Sequence, residues 1–258
     1  MNKENEIKTS YTGFASVYDC LMDNVPYDRW AEIYHDILKE HGINDGLVCD
    51  LGCGTGNMTL RLQDKGYDMI GVDDSAAMLD IAQKKDDKKS ILFLNQDMCS
   101  FELYGTVRAV TLACDSINYL LDEEDILELF RHVNNYLDPG GIFIFDFNTD
   151  EKYRDMIGDG VIAENREDIS FIWENTYDEE SRINECDLTI FARKENELFE
   201  RFQETHLQRG YDIETIKDLL KKSGMEFVSA RPLPDLFEDP GEDDGRILVV
   251  ARERGKIS

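Results

Sequence analysis

Val48-Cys49-Asp50-Leu51-Gly52-Cys53-Gly54-Thr55-Gly56-Asn57-Met58-Thr59 is the stretch around which the chain is organised. A short apolar strand, Leu47 to Leu51, runs into three glycines at alternate positions, and a helical pattern opens at Asn57. Glycines so closely spaced let the backbone turn sharply and leave no Cβ in the way of a ligand. The following helix offers unpaired N–H groups and partial positive charge at its start, which favour an anionic group.

The spacing separates the nucleotide folds. A dinucleotide fingerprint needs G-x-G-x-x-G after the strand, and here the third glycine arrives one residue early. A P-loop would end in Gly-Lys-Ser/Thr, which is absent. A carboxylate, Asp50, stands two residues before the first glycine. This D-x-G-x-G-x-G form resembles the first motif of the class I S-adenosylmethionine-dependent methyltransferases. In that family the loop wraps the methionine part of the cofactor, and a strand-end carboxylate lies close to its ammonium group. The resemblance therefore implies S-adenosyl-L-methionine held by Asp50, Gly52, Gly54 and Gly56. The plainer alternative is a glycine-rich turn with no ligand, and the pattern downstream favours the family.

Downstream, strands and helices alternate, which predicts a parallel sheet with helices on both faces. Met58 to Leu62 reads as the first helix after the loop. Met69 to Asp73 reads as the second strand, with Asp73 at its carboxyl end. A carboxylate there can accept both hydrogens of a ribose diol. Ser75 is placed to cap the helix that carries Met78. Ile91 to Met98 is a third strand and its exit; the resemblance implies that Asp97 meets the adenine amino group and that the Met98 backbone meets the ring. Ser75, Met78, Cys114 and Asp115 complete the cofactor contacts that the family pattern implies. Val107 to Ala113 is a fourth strand, Asp122 to Leu137 a helix with an acidic first turn, Asp138-Pro139-Gly140-Gly141 a turn, and Ile142 to Asn148 a buried fifth strand.

Before the glycine loop, Tyr11 to Met22 has apolar groups at helical spacing, Val25-Pro26-Tyr27 breaks it, and a second amphipathic helix carries Trp30, Ile33, Tyr34, Ile37 and Leu38. This leader resembles the Y-x-x-F-A-x-x-Y-D start of small-molecule methyltransferases, whose N-terminal helices fold over the cofactor. Tyr11, Tyr18 and Trp30 would line that cover, with Phe14 and Leu21 as plain helix packing. Residues 161–209 alternate rather than cycle, and read as three antiparallel strands: 169–174, 186–191 and 198–203. Such an insertion resembles the family's substrate lid. An amphipathic helix over 211–222 and strands at 227–230 and 247–251 complete the chain, with an acidic loop between those strands. The expected architecture is α/β: a seven-stranded, doubly wound, mostly parallel sheet with an antiparallel β lid. Its parts are residues 1–160 (helical cover and first part of the cofactor domain), 161–209 (lid) and 210–258 (remainder).

The net charge of −27 over 258 residues repels phosphate backbones. The chain also lacks, after the fourth strand, the D/N-P-P-Y/F signature that the nucleic-acid amino methyltransferases of the resembled family carry, so the resemblance implies a small-molecule methyl acceptor rather than a nucleic acid. Six cysteines without a C-x-x-C pair suggest reduced, buried thiols in the cytoplasm. Four histidines without ligand spacing suggest no metal site, and no apolar run reaches membrane-spanning length. The implied reaction is methyl transfer to an oxygen or nitrogen. Candidates for a general base are Tyr119, after the fourth strand, and His206, at the lid exit. The competing readings are a regulatory module that binds S-adenosylmethionine without transfer, and a tRNA or protein methyltransferase. A nicotinamide oxidoreductase is opposed by the glycine spacing.

Overall fold

A computed structural model describes residues 11–194, 197–233 and 245–256, with side chains from residue 14 onward. Expectations for residues 1–10, the Tyr11 side chain, the turn residues 195–196 and the acidic stretch 237–244 lie outside the described residues. Two helices, α1 (Tyr11–Leu21) and α2 (Tyr27–Glu40), lead into β1 (Gly46–Leu51), α3 (Asn57–Asp64), β2 (Tyr67–Asp73), α4 (Ala76–Lys85), β3 (Leu92–Asn95) and β4 (Val107–Leu112). A 3₁₀ turn (Ser116–Tyr119) precedes α5 (Glu123–Tyr136) and β5 (Leu137–Asn148). After a π-helical segment (Lys152–Ile157) come β6 (Val161–Asn165), β7 (Ile169–Asp178), β8 (Ile183–Arg193) and β9 (Phe199–Arg209), then α6 (Ile213–Lys222), β10 (Met225–Pro232) and β11 (Arg246–Glu253).

Seven strands form one sheet in the order β10-β11-β5-β4-β1-β2-β3. The pairs among β1 to β5 are parallel, and β11 runs antiparallel to both β5 and β10. The chain proceeds outward from β1 through β2 to β3 on one side, and from β4 to β5 on the other. That reversal opens a crevice at the carboxyl ends of β1 and β4, where ligands of open α/β sheets bind. Alternation along β5 shows how both faces are covered. Phe143, Phe145 and Phe147 pack with Phe130 of α5 and Leu220 of α6, while Ile142 and Ile144 pack with Tyr34 and Leu38 of α2. Asp146 occupies the next position on the α2 face and is fully buried.

Two expectations are corrected here. Asp138 to Gly141 is not a separate turn but an irregular start of β5, where the register jumps from Val107 opposite Leu137 to Ala109 opposite Ile142. The insertion has four strands rather than three, in the order β6-β7-β8-β9, all antiparallel. Its extra member, β6, is an edge strand with little buried surface, so no apolar alternation marks it. The third expected strand also continues to Arg209 rather than ending at residue 203. Its inner face holds Glu204, His206 and Gln208, all buried, where a sheet over a core would hold aliphatic residues. The insertion packs through Ile169, Cys186, Leu188 and Ile190 onto Phe14 and Ala15 of α1 and Met78 of α4. No helix among the described residues is long and apolar enough to cross a membrane.

Candidate active site

The glycine loop is held from below and behind. Asp50, at the end of β1, is 1% exposed and accepts hydrogen bonds from Thr59 Oγ1 (2.6 Å) and Thr111 Oγ1 (2.8 Å). Burial raises its carboxyl to about 6. Asp73, at the end of β2, accepts from Gly54 N (2.7 Å) on Oδ2 and from Ser75 N (2.9 Å) on Oδ1, and burial raises it also to about 6. Gly54 has φ +52°, and a Cβ built there would meet nothing within 4 Å, so its side of the loop opens onto free space. At Gly52 a Cβ would stand 2.9 Å from Ser116 Oγ, so this glycine lets the loops after β1 and β4 meet. Ser75 caps α4, its Oγ accepting from Met78 N at 3.3 Å. The Met78 side chain is buried in the seam between α1, α4 and the four-stranded sheet. Asp97 is exposed just beyond β3 and accepts from Cys99 N, with Met98 packed partly buried beside it.

The exit of β4 is strained. Cys114 and Asp115 both take the left-handed conformation, at φ +60° and +49°, an arrangement that persists only where surroundings enforce it. The enforcing group is Asp146, which accepts from Cys114 N (3.0 Å) and Asp115 N (2.9 Å). It also accepts from Tyr34 OH (3.1 Å) and from Arg246 Nη1 (2.6 Å). Arg246 donates its Nη2 to Asp115 Oδ1 at 2.6 Å, and its guanidinium lies over the Trp30 ring, 5.3 Å from the centroid. Gln208, reaching in from β9, donates to Asp115 Oδ2 at 2.7 Å. Burial pushes the Asp146 carboxyl above its ordinary range, with Arg246 opposing that rise. Trp30, expected in the cover, is 2% exposed and belongs to the core on the α2 face of the sheet. Tyr18 and Tyr27 stand beside each other and Cys114, with burial the main reason that both phenols are raised far above their usual range.

Leader and insertion close over this cleft. Asp19 of α1 accepts from Thr55 Oγ1 (2.6 Å), Asn57 Nδ2 (2.9 Å) and Lys85 Nζ (2.9 Å), pinning α1 to the glycine loop. Burial alone would raise its carboxyl, but these bonds outweigh that and hold it low. Arg166 of the insertion donates to Cys20 O (2.6 Å) and Asp23 Oδ2 (2.9 Å), tying α1 from the other side. The two candidate bases, 87 residues apart in sequence, are brought together: Tyr119 OH lies 3.3 Å from His206 Nδ1, with the rings edge to face. Phe14, expected as plain packing, sits 5.5 Å from the His206 ring, and Glu204 Oε2 lies 3.5 Å from His206 Nε2. Sequence reading missed Glu204, Asp19, Asp146 and Arg246. Asp146 carried a usable signal, being the one ionisable residue inside the apolar run 142–147.

A methyltransferase-domain family model matches residues 48–141. Over 252 residues the chain is 39% identical to the putative methyltransferase YqeM of Bacillus subtilis (strain 168), covering 96% of this chain and 98% of that protein. The chain belongs to the class I S-adenosylmethionine-dependent methyltransferases. An S-adenosylmethionine-dependent methyltransferase from Clostridium acetobutylicum ATCC 824 shares its structure, with a TM-score of 0.83 and 27% identity over 95% of this chain and 99% of that one. The amino pentose methyltransferase CalS10 from Micromonospora echinaspora, solved with S-adenosylmethionine bound, has the same fold at a TM-score of 0.75 and 19% identity, over 92% and 96% of the two chains. S-adenosylmethionine is the cofactor of this methyltransferase, and the open side of Gly54 beside the Asp73 carboxylate fits such a group.

In this methyltransferase the β4 exit depends on a buried ion pair, which yields a stability prediction. Arg246→Met leaves Asp146 as an uncompensated buried charge and should cost about 3–5 kcal/mol. Tyr34→Phe removes one hydrogen bond and should cost about 1 kcal/mol. Urea denaturation measures both, and a loss under about 1 kcal/mol for Arg246→Met would show that the pair does not anchor this region.

Proposed function

We propose that the chain transfers the methyl group of S-adenosylmethionine to an oxygen or nitrogen of a small molecule held between the β4 exit and the four-stranded sheet. The observation that carries this reading is the meeting of Tyr119 and His206 at the mouth of the cleft, where the insertion closes over the strand ends. Gly52, Gly54 and Gly56 would cradle the amino-acid part of the cofactor, with Tyr18 above it and Asp115, Cys114 and Met78 bordering it. Asp73 keeps lone pairs for ribose hydroxyls beyond its two backbone bonds. Asp97 and Met98 would meet the adenine. Asp50, with both oxygens already hydrogen-bonded, would act through its charge, and Trp30 through its stacking on Arg246.

When bound, the cofactor supplies a methyl group already activated by a cationic sulfur. The protein's work is alignment and exclusion of water, for which α1 and the insertion close two sides of the cleft. Tyr119 and His206 would take the proton that a protonated nucleophile must lose. A cleft covered in this way would leave little room for a nucleic-acid duplex, and the net charge of −27 repels one. The amino pentose methyltransferase with the same fold is consistent with a small-molecule acceptor.

Two outcomes are expected. Asp73, raised to about 6, is protonated below that pH and then loses its charge and one acceptor oxygen. S-adenosylmethionine affinity should therefore be flat above about pH 7 and fall at least roughly tenfold per pH unit well below 6, with proton uptake by Asp73 opposing binding and that by Asp50, also raised to about 6, adding to the fall. Calorimetry at pH 5 and pH 7.5 checks this; Asp73→Asn should bind weakly at both values, and a wild-type affinity independent of pH would remove Asp73 from the cofactor site. For transfer itself, S-adenosylhomocysteine release should appear with members of a small-metabolite panel and not with bulk tRNA. His206→Ala should lower that release by about 100-fold while sparing cofactor binding. Release with tRNA alone, or an undiminished His206→Ala rate, would contradict the proposal.

A further inference from the structure

Helix α4 splints the glycine loop along its length. Just before its first turn, Asp73 accepts from Gly54 N and from Ser75 N, which joins the loop to the start of the helix. In its middle Ala82 lies against Gly56: a Cβ on that glycine, at φ +79°, would stand 3.2 Å from the Ala82 Cβ. At its last residue the Lys85 ammonium donates to Thr55 Oγ1 at 3.3 Å, to Asn57 Oδ1 at 2.9 Å and to Asp19 Oδ2 at 2.9 Å. An ammonium has three hydrogens, and each here meets one acceptor. Those acceptors belong to the loop, to the first residue of α3 and to α1.

We infer that Lys85 is a positioning residue, a clasp that fixes Thr55 and holds α1 over the glycine loop, and that it thereby sets how long the cofactor stays bound. This inference rests on the proposed placement of the cofactor on Gly52, Gly54 and Gly56. The hydrogen-bond directions around the clasp agree with one another. Because Asn57 Oδ1 accepts from Lys85, its Nδ2 is turned to donate to Asp19 Oδ1 at 2.9 Å. Thr55 Oγ1 accepts from Lys85 and gives its own hydrogen to Asp19 Oδ1 at 2.6 Å. Thr55 is 1% exposed and stands between Gly54 and Gly56, so any rotation of this residue carries the loop with it. Removing the ammonium takes a cation from Asp19 and one donor each from Thr55 and Asn57.

The clasp is also built to open. The side chains of Lys85 and Asp19 are 28% and 39% exposed, and a cavity of about 440 Å³ between the α1–α2 turn and α3 reaches Asp19 and Asn57. Ion pairs in contact with solvent hold weakly and are screened by salt. The other attachments of α1 are of a different kind or lead elsewhere. Phe14 and Ala15 pack against Met78 in an apolar seam, and Arg166 ties Cys20 O and Asp23 to the insertion. Loss of the clasp therefore parts the cover from the glycine loop without releasing α1 from the molecule.

S-adenosylhomocysteine is the probe, since it lacks the sulfonium charge and the general attraction of an acidic protein for a cation then does not enter. Its release from the full chain, chased with excess unlabelled ligand, should quicken about tenfold in Lys85→Met, the scale of a lost charge-assisted hydrogen bond, while ligand-free melting stays close to wild type. Asp19→Asn should quicken release by a similar factor. The double variant should exceed either single one by less than about twofold, because both substitutions undo the same clasp. Raising sodium chloride from about 0.05 M to about 0.5 M should quicken wild-type release several-fold and leave Lys85→Met unchanged, a response that a lysine serving only helix stability would not give. Wild-type release from Lys85→Met, or additive effects of the two substitutions, would overturn the inference. Hydrogen exchange at residues 52–57 with and without the ligand reads the placement separately. Protection there with unchanged release overturns the clasp alone, and no protection overturns placement and clasp together.

Discussion

A buried carboxylate at position 146 must be paired, and that requirement shapes the centre of this molecule. Asp146 sits where the alternation of β5 would place an aliphatic side chain, and removing a charge from water without partners costs several kcal/mol. Its four partners come from three places: Arg246 from β11, Tyr34 from α2, and the N–H groups of Cys114 and Asp115 from the β4 exit. Satisfying the two N–H groups bends the chain through consecutive left-handed residues. That bend directs Ser116 against the glycine loop and Tyr119 toward the insertion. A shared buried ion pair therefore sets the geometry of the cleft, although neither Asp146 nor Arg246 need touch the cofactor.

The same network reaches the insertion. Gln208 on β9 completes the Asp115 carboxylate, and Asn118 donates to Arg209 O at 2.7 Å and to Asn148 O at 2.9 Å. Strand β9 is thereby rooted on the β4 exit and the end of β5, which places His206 beside Tyr119 at the carboxyl ends of the strands. On the opposite side Asp19 roots α1 on the glycine loop. Among the described residues, the carboxylates Asp50, Asp73, Asp115 and Asp146 surround the crevice, and Arg246 pairs directly with two of them. A cationic cofactor suits that balance, because positive charge entering the cleft opposes the rise that burial imposes on Asp50 and Asp73.

The elements most readable in the sequence were those whose role and burial agree. The glycine loop, the apolar parallel strands and the acidic ends of β2 and β3 all announce themselves, because closely spaced glycines and runs buried on two faces are hard to mistake. Strand β9 was half hidden for a physical reason: past residue 203 its buried inner positions are the polar Glu204, His206 and Gln208, which break the apolar alternation. Strand β6 escaped because an edge strand with exposed residues has no pattern to show. Asp138 to Gly141 carried the composition of a turn, yet the register of β4 against β5 absorbs it as an irregularity. Trp30 looked like part of a cover because it lies on the leader's amphipathic face, and that face turned out to be the one against the sheet. Pairings such as Asp19 with Thr55 or Asp146 with Arg246 join distant segments, and one sequence alone holds no trace of them.

The central claim is that leader, glycine loop and insertion together enclose one methyl-transfer site. Hydrogen–deuterium exchange of the full chain with and without S-adenosylhomocysteine tests it most directly. The account predicts that peptides covering α1, residues 52–57 and β9 all gain protection together on binding, since α1 and β9 close on the occupied loop. Protection confined to residues 52–57, with α1 and β9 exchanging as in the ligand-free protein, would contradict it.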